Sequence, residues 1–241
     1  MDLRLEGRTV VVTGGSKGIG ASIVKCFAEE GCQVHFCARS QSSIDSFMNE
    51  LPPNLLVFPS IVDIRSNDSF SKWIDSIGDI DIFIPNVSAL SGDWSETIDT
   101  DLRSTVYNID KVTDKMSSSD SAVTYIGSTS AGVADHRADA YSCVKAALIH
   151  HIKSMSVKFA QKIRFNTISP SSTLFPGGGW DSYRIDHPSL FQNKIDHHPM
   201  KRLASPEEIA RLVVFISSPL SSYVNGEVIH IDGGERNHVA L

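Results

Sequence analysis

The run Thr9-Val-Val-Val-Thr13 leads straight into Gly14-Gly15-Ser16-Lys17-Gly18-Ile19-Gly20, and apolar residues then recur at Ile19, Ile23 and Phe27. The first five residues are all β-branched and stop at glycine, the pattern of a buried strand. The four-residue spacing that follows places its apolar side chains on one face of a helix, and Gly31 is suited to cap that helix at its carboxyl end. Glycine lets the chain turn tightly and lets an anion approach the backbone. The helix start offers unpaired N–H groups and the positive end of its dipole. The segment therefore predicts a pyrophosphate-binding turn, with Gly14, Ser16, Lys17, Gly18, Ile19 and Gly20 against a dinucleotide.

The alternation continues along the chain. Short apolar strand candidates fall at residues 34–38, 55–58 with 61–62, 80–84, 122–126, 163–168 and 228–232. Between them lie helical stripes: Ile44, Phe47, Met48 and Leu51, stopped by Pro52-Pro53; Phe70, Trp73, Ile74 and Ile77; and Leu102, Val106, Ile109, Thr113 and Met116. A helix over 141–159 follows, and Ile209, Leu212, Val213 and Ile216 lie behind Pro206, which suits a helix start. Seven apolar strands alternating with helices imply a parallel sheet covered on both faces. The expected architecture is α/β: a single-domain Rossmann fold over residues 1–241, with a seven-stranded, mostly parallel, doubly wound sheet and helices on both faces. The length of 241 residues fits one such domain, which can run to about 250. One long stretch, 171–199, reads as irregular and hence as a functional loop.

Composition narrows the partners. A net charge of −6 with scattered Lys and Arg argues against nucleic acid. No apolar run approaches the roughly 18 residues of a membrane helix, and the charged amino terminus lacks a signal-peptide core. Cys26, Cys32, Cys37 and Cys143 form no CxxC pair, so free thiols in a reducing compartment are expected, and the chain reads as soluble and cytoplasmic. His187, His197 and His198 share the long loop without implying ligand geometry, and no metal is expected.

Strand two ends Phe36-Cys37-Ala38-Arg39, with no carboxylate for ribose hydroxyls. Arg39 and Lys17 instead offer two cations to a 2′-phosphate, which favours NADP(H) and leaves NAD(H) open. Downstream, Tyr141 and Lys145 stand four apart on one helix and so face the same way. An ammonium lowers a phenol's pKa from about 10, making the pair a general acid/base.

With Ser128 placed 13 residues before Tyr141, the sequence resembles the short-chain dehydrogenase/reductase family, of the NADP(H) type and nearest its 3-oxoacyl reductase-like members. The likeness spans nearly the whole chain: the Thr13–Gly20 run, Asp63 after strand three, Asn86 after strand four, the Ser128, Tyr141 and Lys145 spacing, Arg202-Leu203-Ala204-Ser205-Pro206-Glu207-Glu208, and Gly226 with Asp232-Gly233-Gly234. The resemblance implies a hydride transfer between the cofactor and a carbonyl or secondary alcohol. Tyr141 would carry the proton, Lys145 would bind the nicotinamide ribose, and Ser128 would hold the substrate oxygen, ahead of Thr129 and Ser130, whose spacing is poorer. Asp63 and Ile64 would sit by the adenine, Asn86 beside the cofactor, and Thr173 at the nicotinamide amide. It also implies that 171–199 covers the substrate, with Gly177-Gly178-Gly179 as a hinge and its aromatics pointing to a partly apolar substrate. It further implies that the chain forms a homodimer or homotetramer, with the tail from Glu235 in reach of a neighbour.

Three departures stand out. Asn-Asn-Ala-Gly becomes Pro85-Asn86-Val87-Ser88, with a shortened segment after it. The family's helix asparagine aligns with Asp101, which we expect to re-tune the catalytic pair: its charge, if close, favours the Lys145 ammonium and opposes a tyrosinate. The usual Pro-Gly after strand six is Pro170-Ser171. These departures keep an alternative in view, a sensor or scaffold that binds cofactor with little turnover.

Overall fold

A computed structural model describes residues 2–118, 120–134 and 139–236. Seven strands form one sheet in the order β3-β2-β1-β4-β5-β6-β7: β1 (Thr9–Thr13), β2 (Gln33–Ala38), β3 (Val57–Ile61), β4 (Ile82–Ile84), β5 (Ser121–Ile126), β6 (Ile163–Pro170) and β7 (Val228–Ile231). Every pairing is parallel. Pro59 sits in β3, an edge strand where the loss of one N–H is tolerated.

The strands' alternation builds two apolar layers. Val10 and Val12 point into one with Ile23 and Phe27 of α1 (Gly18–Glu29), Ile44 and Phe47 of α2 (Gln41–Glu50), and Ile209 and Val213 of α9 (Pro206–Ser217). Val11 points into the other with Phe70 of α3 (Asn67–Ser76), Ile109 of α5 (Ser104–Thr113), and Leu148 and Ile152 of α6 (Ala140–Lys158). The helix expected from Leu102 starts earlier. A short α4 (Trp94–Thr97) passes into a π-helical turn, Ile98–Arg103, before α5, and Asp101 lies in that wide turn.

The reading of 171–199 as irregular is wrong. Most of it folds into α7 (Gly179–Asp186) and α8 (Pro188–His197). Both are surface helices. Phe191 is the one buried residue among them, so no apolar stripe announces either. Their signal is instead Pro188 at the first turn of α8.

Between β6 and α9, Arg164 is buried and its guanidinium donates to four carbonyls: Ile216 (3.0 Å), Val224 (3.2 Å), Ser217 (3.3 Å) and Ser218 (3.0 Å). A cation thus closes the carboxyl end of α9. Replacing Arg164 with Met strands those acceptors and should cost about 2–4 kcal/mol of unfolding free energy in urea melts; a loss under about 0.5 kcal/mol would contradict this role.

Candidate active site

Strand order reverses between β1 and β4, and the crevice beyond the carboxyl ends at such a point is where ligands bind in open α/β sheets. The turn after β1 is held from two sides. Gly14 and Gly15 donate N–H groups to the Cys37 carbonyl at 2.9 and 3.1 Å. Asn86, just past β4, donates its side-chain amide to the carbonyls of Thr13 (3.0 Å) and Gly14 (3.2 Å), and its N–H to Thr13 Oγ1 (3.0 Å). Asn86 therefore shapes the phosphate turn. At Gly20 a Cβ would strike the Gly14 carbonyl oxygen, so the close pass of helix over turn admits glycine alone.

α1 opens with Lys17 as its cap, without a side-chain cap bond and without acidic residues in its first turn. Its amino end suits an anion, and the turn fits the pyrophosphate of a dinucleotide. Ser16 Oγ lies 3.1 Å from Ser43 Oγ, which joins the turn to α2. Lys17 and Arg39 are exposed, and Ile64 is buried after β3. Arg65 clasps the Asp63 carboxylate through Nε (3.0 Å) and Nη2 (2.7 Å), which, with Arg39 nearby, holds its pKa below the usual carboxylate value. Thr173 is buried past β6, bridged to Ala204, with its hydroxyl given to the Ser171 carbonyl at 3.1 Å.

The predicted catalytic residues converge. Ser128 follows β5 and caps a short 3-10 turn, Thr129–Gly132, with Oγ accepting from the Ser130 N–H at 3.2 Å. Ser128 faces the phenol of Tyr141, in the first turn of α6, and its hydroxyl acts to lower the phenol's pKa. One turn on, Lys145 is buried, and its Nζ donates to the Ile126 carbonyl at 3.1 Å. The ammonium stands 5.0 Å from the ring centroid of Tyr125 and 5.6 Å from that of Tyr141, within cation–π range of both. Tyr125 was not anticipated. It lies in β5, fully buried, and its hydroxyl has no hydrogen-bond partner among the described residues.

Asp101 is buried with both oxygens engaged. Oδ2 accepts a short bond from the Ser88 hydroxyl, and Oδ1 accepts the Ala89 N–H at 2.7 Å. Two departures seen in the sequence thus meet: the serine that ends the altered Asn motif supplies a donor to the aspartate that replaces asparagine. Its effect on the pair runs as expected, raising the pKa of Lys145 and opposing the Tyr141 phenolate. One expectation fails. The Tyr141 pKa is raised rather than lowered: burial outweighs the Ser128 hydroxyl, Asp101 and Asp139 add to the rise, and Lys145 is not among the groups that lower it. Burial also pulls the Lys145 ammonium down to about 8.

The histidines of 171–199 have structural roles. His187 packs on Tyr183, His197 Nδ1 bonds the Asn193 carbonyl (2.7 Å), and buried His198 accepts the Met200 N–H at 3.1 Å. Among the described residues no group of three His, Cys, Asp or Glu side chains could hold a metal ion. No described helix is long and apolar enough to cross a membrane. The tail beyond Arg236 lies outside the described residues.

The Lys145 pKa of about 8, against 10.5 unfolded, carries a stability consequence. Below about pH 8 the folded chain retains a desolvated ammonium. Between the two values the folded chain sheds a proton that the unfolded chain keeps, so stability rises with pH. Lys145→Met should therefore stabilise the fold at about pH 7 by roughly 1–3 kcal/mol, and the gain should shrink by about pH 9.5. A gain that stays flat across that range in thermal melts would refute the assignment.

Residues 14–235 match the family model described as enoyl-(acyl carrier protein) reductase. The chain is 32% identical over 246 residues to isoepoxydon dehydrogenase of Penicillium expansum, covering 95% of each, and 30% identical to the 3-oxoacyl-[acyl-carrier-protein] reductase FabG of Chlamydia pneumoniae, covering 97% of this chain and 99% of that one. It also superposes on the Pseudomonas aeruginosa RhlG/NADP active-site complex with a TM-score of 0.86 at 25% identity, over 97% of this chain and 98% of that one. The parallel sheet, the glycine turn and these likenesses agree: the chain belongs to the short-chain dehydrogenase/reductase family, NAD(P)-dependent oxidoreductases acting on CH–OH groups.

Proposed function

We propose that this chain, one dinucleotide-binding domain over residues 1–241, reduces a ketone or oxidises a secondary alcohol with NADP(H), as a cytoplasmic homodimer or homotetramer. The observation that carries the reading is the buried Lys145 ammonium one helical turn from Tyr141, 5.6 Å from its ring centroid, with the Ser128 hydroxyl facing the phenol. Bound at the glycine turn, the nicotinamide would supply or accept the hydride. In the reducing direction Ser128 donates a hydrogen bond to the carbonyl oxygen, and Tyr141 gives its phenolic proton to that oxygen as the carbon gains the hydride. The alcohol product then holds both, and Tyr141 is left as a phenolate that solvent reprotonates. Lys145 supports that phenolate once its ammonium turns from Ile126 toward the cofactor ribose. Asp101 acts through Lys145 by favouring its charge. The exposed apolar side chains Leu90, Trp94 and Leu190 suit a partly apolar substrate.

Arg39 and Lys17 support the 2′-phosphate preference, since β2 ends without a carboxylate. Ser40, which caps α2 immediately after Arg39, adds a helix start beside that site. The NADP in the similar Pseudomonas aeruginosa complex is in keeping with it.

Oxidation of NADPH with a panel of ketones, followed by absorbance, should show turnover in the wild type and a fall of about 100-fold or more in Tyr141→Phe. Turnover unaffected by that change would remove the acid/base role, and cofactor binding without turnover on any substrate would favour a sensor. Arg39→Asp should weaken NADPH binding by about tenfold or more while sparing NADH; equal losses would overturn the preference.

A further inference from the structure

The ring of Phe175 lies against the phosphate turn. A Cβ built on Gly18, the first residue of α1, would sit 2.5 Å from Phe175 Cζ, 2.7 Å from Cε2 and 2.9 Å from Cε1. A Cβ on Gly178 would meet the same three atoms at 2.7–2.9 Å. The edge of the ring is thus wedged between two bare backbones, one in the phosphate turn and one in the segment that leads to α7.

The local chain fixes this wedge. Gly178 donates its N–H to the Phe175 carbonyl at 3.1 Å, closing a turn with Pro176 second and Gly177, at φ +71°, third. Those are the positions where proline and a left-handed glycine belong. The glycine run is therefore not a slack hinge. Gly177 makes the turn, its N–H reaches Asp181 Oδ2 at 2.9 Å, and Gly178 leaves room for the ring. Upstream, Leu174 donates to the Ala204 carbonyl at 2.9 Å and Ala204 to the Ser172 carbonyl at 3.2 Å, so the backbone leading to Phe175 is tied to the segment entering α9. The half-buried side chain can still swing about its own rotamer without breaking any of these bonds.

An apolar ring at the amino end of α1 offers nothing to the unpaired N–H groups there, whereas a pyrophosphate satisfies them. We propose that Phe175 sets the affinity of the dinucleotide site: its ring competes with the pyrophosphate for the amino end of α1, and cofactor binding displaces it from Gly18. The proposal rests on the dinucleotide site described above. The fraction of molecules with the ring seated lowers the apparent affinity, and the displacement carries a signal into α7, where Trp180 stands two residues beyond Gly178 and packs on Tyr183 with ring centroids 5.4 Å apart.

The test is calorimetric titration of the full chain with NADP+ and with NAD+, comparing wild type, Phe175→Ala and Phe175→Leu. Phe175→Ala should bind the preferred dinucleotide about threefold to tenfold more tightly, and Phe175→Leu should fall between. In the wild type the same titration should change the emission of Trp180, identified by its loss in Trp180→Phe, and Phe175→Ala should abolish most of that change. If Phe175→Ala melts early, Phe175→Leu carries the comparison. Dinucleotide affinity that is unchanged or weaker in the folded variants would overturn the competition and leave the dinucleotide site standing. Failure of the wild type and both variants to bind either dinucleotide would instead overturn the site itself.

Discussion

The Lys145 ammonium is buried between two tyrosine rings, with the Ile126 carbonyl as its hydrogen-bond acceptor. A charge so placed costs several kcal/mol unless its surroundings compensate. Three elements do so in part, the ammonium's pKa still falling to about 8: β5 with a carbonyl and the face of Tyr125, the π-helical turn with the Asp101 carboxylate, and the start of α6 with the face of Tyr141. Their packing fixes where Ser128 and the phenol meet. Displacing any one of them leaves the ammonium less compensated, so the placement of Ser128, Tyr141 and Lys145 and the local stability are held by the same contacts.

That arrangement gives the departures from the family pattern a physical meaning. A buried aspartate in place of asparagine brings a negative charge and loses a donor. Ser88 and the Ala89 N–H satisfy both carboxylate oxygens, and the nearby ammonium offsets the charge. The segment after β4 is thereby pinned to the turn that carries Asp101, and Leu90 is held at φ +51°, an uncommon conformation for a residue with a side chain. The segment that looked merely shortened in sequence is anchored to the cluster of Asp101 and Lys145.

The 171–199 segment is likewise more ordered than its composition suggests. Two polar helices replace the expected loop, and Lys194 of α8 reaches Glu235 beyond β7 at 2.5 Å. The segment is thus tied at its start to the chain entering α9, through residues 172–174, and near its end to the chain after β7. Between those ties, Phe175 is the side chain that touches the phosphate turn.

The sequence by itself determined the strand order, the core-facing helices, the glycine turn and the Tyr141–Lys145 pair, with Ser128 added by the family resemblance. Those features are written in local terms: period-two and period-3.6 patterns, glycines at a strand end, and a phenol and an ammonium one helical turn apart. Only the tertiary structure decided that Asp101 meets Ser88, that Tyr125 lies under Lys145, that Arg65 occupies Asp63 and that Phe175 seats on Gly18. It also showed that Lys145 turns to Ile126 and that burial governs the phenol's pKa. Except for Asp63 with Arg65, these pairings join residues remote in sequence, and their energies depend on what water is excluded where strands and helices close together. A residue's own neighbours along the chain carry no record of that. The two polar helices escaped for the opposite reason: with almost nothing to bury, they left no periodic trace.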